Sequence, residues 1–248
     1  MMKKVLCLLL LVISLIGCEK EATLTFEAID SKESSDHCDD ESCAEIALNY
    51  VLAKGDEKVQ ETINEAIISA ILPYLNYSED EGIETIDAAK RSFFKSFEEN
   101  KEEFESEASW YAFIFGDVSY QTDQLISIRL DVEMYVGGAH GYQSTKYLNF
   151  DPKTGNIMEP KDLFEDLDGF IALAEGQFRN KYKIPEVANI NSAGFDFEND
   201  QFHLPETIGF TKEHIVMTYK PYEIAPYTEG PQSLTIDYAT VEEYLKKR

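Results

Sequence analysis

The chain has 248 residues and a formal net charge of −25, from 47 Asp and Glu against 22 Lys and Arg. A surface this acidic repels phosphate backbones and excludes nucleic acid as a partner, but is compatible with a cationic protein, a divalent ion or a neutral glycan. Apolar residues at 44% and aromatics at 12% describe a folded chain of one large or two small domains, not a disordered one.

Lys3 and Lys4, the apolar run Val5 to Ile16 and the box Leu15-Ile16-Gly17-Cys18 match a bacterial lipoprotein signal peptide. The run is shorter than the roughly 20 residues that cross a bilayer, so residues 1–17 are expected to be removed. Cys18 then carries the lipid, and two or three acyl chains at about 0.8 kcal/mol per buried methylene hold a protein at a membrane. The mature chain would have 231 residues and a charge of −27. The expected location is the bacterial cell envelope, on an outer membrane facing the periplasm or at the cell surface. Glu19, directly after the lipidated cysteine, resembles the acidic export signals of some outer-membrane lipoproteins.

Residues 18–43 read as a tether and an acidic loop, with a short strand at Leu24 to Ile29. Cys7 leaves with the signal, so Cys38 and Cys43 are the remaining thiols in an oxidising compartment and are expected to pair. The rival reading is a metal site of His37, Cys38 and Cys43 with Asp36 or Asp39, whose spacing matches no zinc ribbon or finger. No metal and no cofactor is expected.

Ala44 to Ala53 alternates at period two, as a strand does. From Asp56 the period changes to helical, with Val59, Ile63, Ile67 and Ile71, until Pro73; a second helix follows over Ile83 to Phe104. Ser109 to Tyr120 and Gln124 to Val136 form a hairpin whose second strand places Ile126, Ile128, Leu130, Val132 and Met134 on one face and Arg129, Asp131 and Glu133 on the other. That pattern predicts a sheet covered by helices on one side. Further on, Ser144 to Asp151 reads as a strand, Lys161 to Tyr182 as a helix, four short segments from Phe195 to Tyr238 as strands, and Val241 to Lys247 as a terminal helix. The expected fold is α+β, with antiparallel sheets packed against helices in two similar-sized halves, 44–142 and 143–248.

Two segments carry candidate chemistry. Gly137, Gly138 and Gly141 surround His140 and precede Tyr142. Three glycines so close mean a turn through positive φ or a close backbone approach, and His140 within it is either a hydrogen-bonded turn residue or a general base. The second segment, Tyr219 to Tyr227, holds Pro221, Tyr222, Pro226 and Tyr227 in a stiff loop whose rings either stack on a sugar or a cation, or plug a sheet edge. No nucleophile motif, paired-carboxylate signature or His-rich metal spacing accompanies them, so the chain reads as a non-enzyme.

The order Gly137-Gly138-Ala139-His140-Gly141, Asn149-Phe150-Asp151, Asp162-Leu163-Phe164 and Pro221-Tyr222-Glu223-Ile224-Ala225-Pro226-Tyr227 with Gly230 resembles the paired domains of the RsiV and PdaC family, from about Ala44 to Lys246. The resemblance implies an extracytoplasmic binding or sensing module, since RsiV-like ectodomains recognise the basic enzyme lysozyme. It implies neither anti-sigma activity, for want of a transmembrane helix and sigma-binding segment, nor deacetylation, for want of a Thr-Phe-Asp-Asp-like stretch and a His-x-x-x-His. The function expected is a lipid-anchored module binding lysozyme or a peptidoglycan-type ligand through His140, Tyr142, Tyr222 and Tyr227. The alternatives are a peptidoglycan hydrolase with His140 as base, and a structural envelope lipoprotein.

Overall fold

The computed structural model describes residues 24–35, 38, 42–77, 82–105 and 107–246. The expected signal peptide, the lipidation site Cys18, and His37, Asp36 and Asp39 of the rival metal reading lie outside the described residues.

Five strands form the first sheet in sequence order: β1 Thr25–Ser34, β2 Ala44–Lys54, β3 Trp110–Gln121, β4 Ile126–Tyr135 and β5 Tyr142–Phe150. The α+β class stands, but this sheet is mixed, because β2 and β3 run parallel while the other pairs are antiparallel. A parallel pair needs a long crossover, and α1 Glu57–Ile71 and α2 Ile86–Phe104 supply it between β2 and β3. Asp56 caps α1 by accepting from the backbone N–H of Lys58 and Val59, and Thr85 caps α2 by accepting from Ala88. Both helices turn their apolar stripes onto one sheet face, where Ile63, Ile67, Phe93 and Phe97 pack with Ile46, Leu48, Ile114, Ile128 and Leu130.

The segment from Asp30, expected as loop, continues β1 to Ser34. Lys90 on α2, itself buried, reaches Glu33 Oε1 and Ser31 Oγ at 2.6 Å each and ties this end of the edge strand to the helix layer. Cys38 and Cys43 are joined as a disulfide, with Cα atoms 4.8 Å apart, so neither is a thiolate ligand. The bond closes the β1 to β2 connection. Replacing both cysteines by serine is expected to cost about 2 kcal/mol, because the loop is short. Thermal melting should show a fall of about 4 to 8 °C.

β5 pairs with β4 from Met134↔Tyr142 to Ile126↔Phe150, so the first sheet extends beyond the 142/143 boundary expected from sequence. The chain then enters a second layer of α3 Pro160–Leu163, α4 Leu167–Tyr182 and an antiparallel sheet of β6 Ile208–Phe210, β7 His214–Tyr219 and β8 Gln232–Asp237. The helix expected over Lys161 to Tyr182 is broken at Glu165 and Asp166, where Asp166 caps α4 through the Gly169 N–H. Phe195 to Phe202 is not a strand. Asn191 bonds both the N–H and the carbonyl of Phe197 and folds this stretch into short 3-10 turns around Phe178. The helix expected over Val241 to Lys247 is not formed there: the short α5 spans Tyr238–Val241, sharing only Val241 with it, and Leu245 bridges Phe164.

The two halves are packed directly together. β6 lies on the face of the first sheet that the helices leave open, near the start of β4 and the end of β5. There the Phe210 N–H donates to Ser127 Oγ at 3.2 Å and Asn149 Nδ2 donates to the Ile208 carbonyl at 2.7 Å. Gly209 sits on the Tyr147 ring so closely that an added Cβ would lie 2.3 Å from ring carbons.

A candidate binding site at the junction of the two halves

The glycine turn follows β4. Gly137 adopts φ +81° and rests on the Trp110 indole, where a Cβ would come within 2.9 Å of Nε1. Gly141 faces the Met134 carbonyl, and a Cβ there would meet it at 3.1 Å. Gly138 has neither a positive φ nor a close neighbour. Together these restraints lift His140 out of the sheet end as an exposed side chain.

The tyrosine loop approaches from the second half. Glu223 N–H donates to the Lys220 carbonyl at 3.1 Å, closing a turn with Pro221 second and Tyr222 third. Tyr222 has φ +69°, a left-handed conformation that for a non-glycine residue costs on the order of 1–2 kcal/mol. The Glu223 carboxylate holds the turn, accepting from the N–H groups of Lys220 at 2.9 Å and Glu206 at 3.0 Å. Lys220 pairs with Glu206, and that cation holds the Glu206 carboxyl below its usual range. Ile224 and Ala225 are buried beneath, so the strained Tyr222 is presented on an anchored loop.

Three of the four residues singled out from sequence meet here. His140 stacks on Tyr227 with ring centroids 3.8 Å apart and planes 18° apart, and its Nε2 lies 3.1 Å from the Tyr222 hydroxyl. The Tyr227 hydroxyl donates to the Gly141 carbonyl, which is also 3.1 Å from His140 Nδ1. Tyr142 stands apart from this trio and stacks on Tyr74 at 6.2 Å. Both line a cleft of about 310 Å³ with Tyr77, Met134, Tyr135, Val136 and His140. Burial pushes the Tyr74 and Tyr77 phenols up, so they stay protonated and able to donate. Sequence reasoning missed these two; the available signal was two tyrosines three apart directly after the helix-stopping Pro73.

Rings, phenols and a histidine arranged in this way can stack on a sugar or a cation and hydrogen-bond its rim. Among the described residues, the partners of the His140 ring are a phenol and a backbone carbonyl. No group of three or more His, Cys, Asp or Glu that could hold a metal occurs among the described residues.

Residues 37–143 match the family model described as deacetylase PdaC, and residues 161–239 match the family of unknown function DUF3298. The PdaC match thus precedes the DUF3298 match along the chain. This is the PdaC/RsiV-like architecture that the sequence resemblance implies. His140 lies in the first match and Tyr222 and Tyr227 in the second, so the aromatic cluster is built from both domains. Among solved structures, a DUF3298 family protein from Pseudomonas aeruginosa PAO1 is similar at TM-score 0.65 and 20% identity, over 91% of this chain and 96% of that one. A DUF3298 family member from Bacteroides fragilis NCTC 9343 is similar at TM-score 0.65 and 22% identity, over 92% and 95%. At these identities the likeness establishes the fold. No curated protein matches.

Proposed function

We propose that the protein is a non-enzymatic, lipid-anchored cell-envelope module that binds a basic protein of the lysozyme type at the junction of its two domains. The observation that carries this reading is the meeting of His140 with Tyr222 and Tyr227 across 82 and 87 positions of sequence. A strained tyrosine held in place by an anchored loop is a feature of binding and switching sites more than of inert scaffolding. The chain's net charge of −25 suits a cationic partner, and Tyr is among the residues enriched at interface hot spots. A peptidoglycan-type glycan is the second reading, favoured by the near-parallel His140 and Tyr227 rings, which present faces for sugar stacking. The non-enzymatic reading rests on the partners of His140, since a general base is ordinarily oriented by a carboxylate or paired with a nucleophile. The anchor through Cys18 and the envelope location rest on the lipobox.

Calorimetric titration with lysozyme at low salt and at about 0.15 M salt tests the reading, because the Debye length there is only about 8 Å and exposed charge attraction is largely screened. Binding that persists at the higher salt is expected. Binding confined to low salt, or its absence, would remove lysozyme and shift the search to peptidoglycan fragments.

A further inference from the structure

The second half covers only one end of the first sheet's outer face. Among the described residues the rest is open, and the strand registers order its side chains in two rows running across all five strands. One row is Asp30, Asn49, Phe115, Asp131 and Thr145; the other is Lys32, Ala47, Phe113, Glu133 and Gln143. Between them lies a groove of about 550 Å³, within the range of ligand-binding clefts, walled at one side by Pro231 of the second half. Ala47 forms the dip, since its short side chain lies between the longer Lys32 and Phe113.

Phe113 and Phe115 are 36% and 50% exposed, on the central strand of the sheet, where an uncovered apolar pair is unusual for a soluble surface. Tyr111 stacks on Phe113 at 4.8 Å and lengthens the aromatic row. The charges around this row are unevenly paired. Asp131 is satisfied by two contacts from Arg129, at 3.1 and 2.6 Å, and by the Thr145 hydroxyl at 2.6 Å. Lys32 is paired with Glu45 at 3.1 Å. Among the described residues, Asp30 is exposed and makes no ion pair, and Glu133 accepts only a long contact of 3.4 Å from the Tyr111 hydroxyl. Two carboxylates without counter-ions therefore flank two exposed rings. An apolar ligand would desolvate those carboxylates without compensation and an anionic one would be repelled, whereas Lys or Arg side chains offer charge-assisted hydrogen bonds about twice as strong as those of a neutral donor.

From this arrangement we propose that the open sheet face is a second binding site, for a cationic polypeptide segment carrying apolar side chains between two basic residues. Asp30 on β1 and Glu133 on β4 are three strand spacings apart across the sheet and two residues apart along it, about 16 Å in all, which an extended chain spans in about five residues at roughly 3.4 Å each. The apolar side chains of the segment lie on Phe113 and Phe115 while its basic residues meet the two carboxylates. The site does not depend on the reading of the domain junction.

Fluorescence anisotropy of a labelled peptide of alternating Lys and Leu, added to the intact chain, tests the proposal. Phe113→Thr with Phe115→Thr keeps strand propensity and is expected to weaken binding at least tenfold. Asp30→Asn with Glu133→Gln is expected to weaken it and to flatten its salt dependence, with melting temperatures near wild type in both doubles. His140→Ala separates the two sites: an equal loss there would assign the peptide to the junction and overturn the proposal. Unchanged binding in the phenylalanine double would also overturn it. So would displacement of the peptide by a neutral N-acetylglucosamine oligomer, which would make the groove a glycan site.

Discussion

Gly209→Ala is expected to destabilise the protein by about 3 kcal/mol and to lower its melting temperature by about 6 to 12 °C, the range for a chain of this size. The new methyl group would lie 2.3 Å from the ring of Tyr147, which is itself buried. Relief therefore requires β6 to lift away, breaking the bonds from Asn149 to Ile208 and from Phe210 to Ser127 that join the halves. The tyrosine loop belongs to the same half as β6 and His140 to the other, so on the proposed function lysozyme affinity should fall with stability. Adding Tyr147→Leu to the glycine variant should recover much of the loss, since contacting residues do not act additively. A melting curve of the single variant indistinguishable from wild type would show that the halves are not held at this contact.

On the proposed function, Tyr227→Ala is expected to reduce lysozyme affinity by at least about 30-fold, the loss that corresponds to a hot spot of 2 kcal/mol. It removes the ring on which His140 stacks and the hydroxyl that holds the Gly141 carbonyl, so the His140 side chain and the turn backbone beside it lose their support. Tyr227→Phe keeps the stack and loses only that hydrogen bond, and should stay within about fivefold of wild type, a net hydrogen bond being worth about 1 kcal/mol. Titration of the two variants side by side distinguishes ring from hydroxyl. Full affinity in the alanine variant, with melting intact, would move the ligand away from the junction.

What the sequence alone determined is local or periodic. The alternation in β4 assigned Ile126 to Met134 to the core face, and helical spacing assigned Ile63, Ile67, Phe93 and Phe97, because these patterns depend only on the geometry of one element. The glycine turn and the proline and tyrosine loop were visible as bends of the chain for the same reason: glycine at positive φ and proline at fixed φ mark shape within a few residues. The parallel β2 and β3 pair was not legible, since pairing direction follows from where two helices return the chain. Phe195 to Phe202 alternates like a strand but is folded by Asn191, a tertiary override of local preference. Only the tertiary structure decided that His140 meets Tyr222 and Tyr227, and that Phe113 and Phe115 line an uncovered face. Both depend on docking β6 over one end of the first sheet, which rests on Gly209 fitting against Tyr147, a contact 62 residues apart that no local pattern encodes.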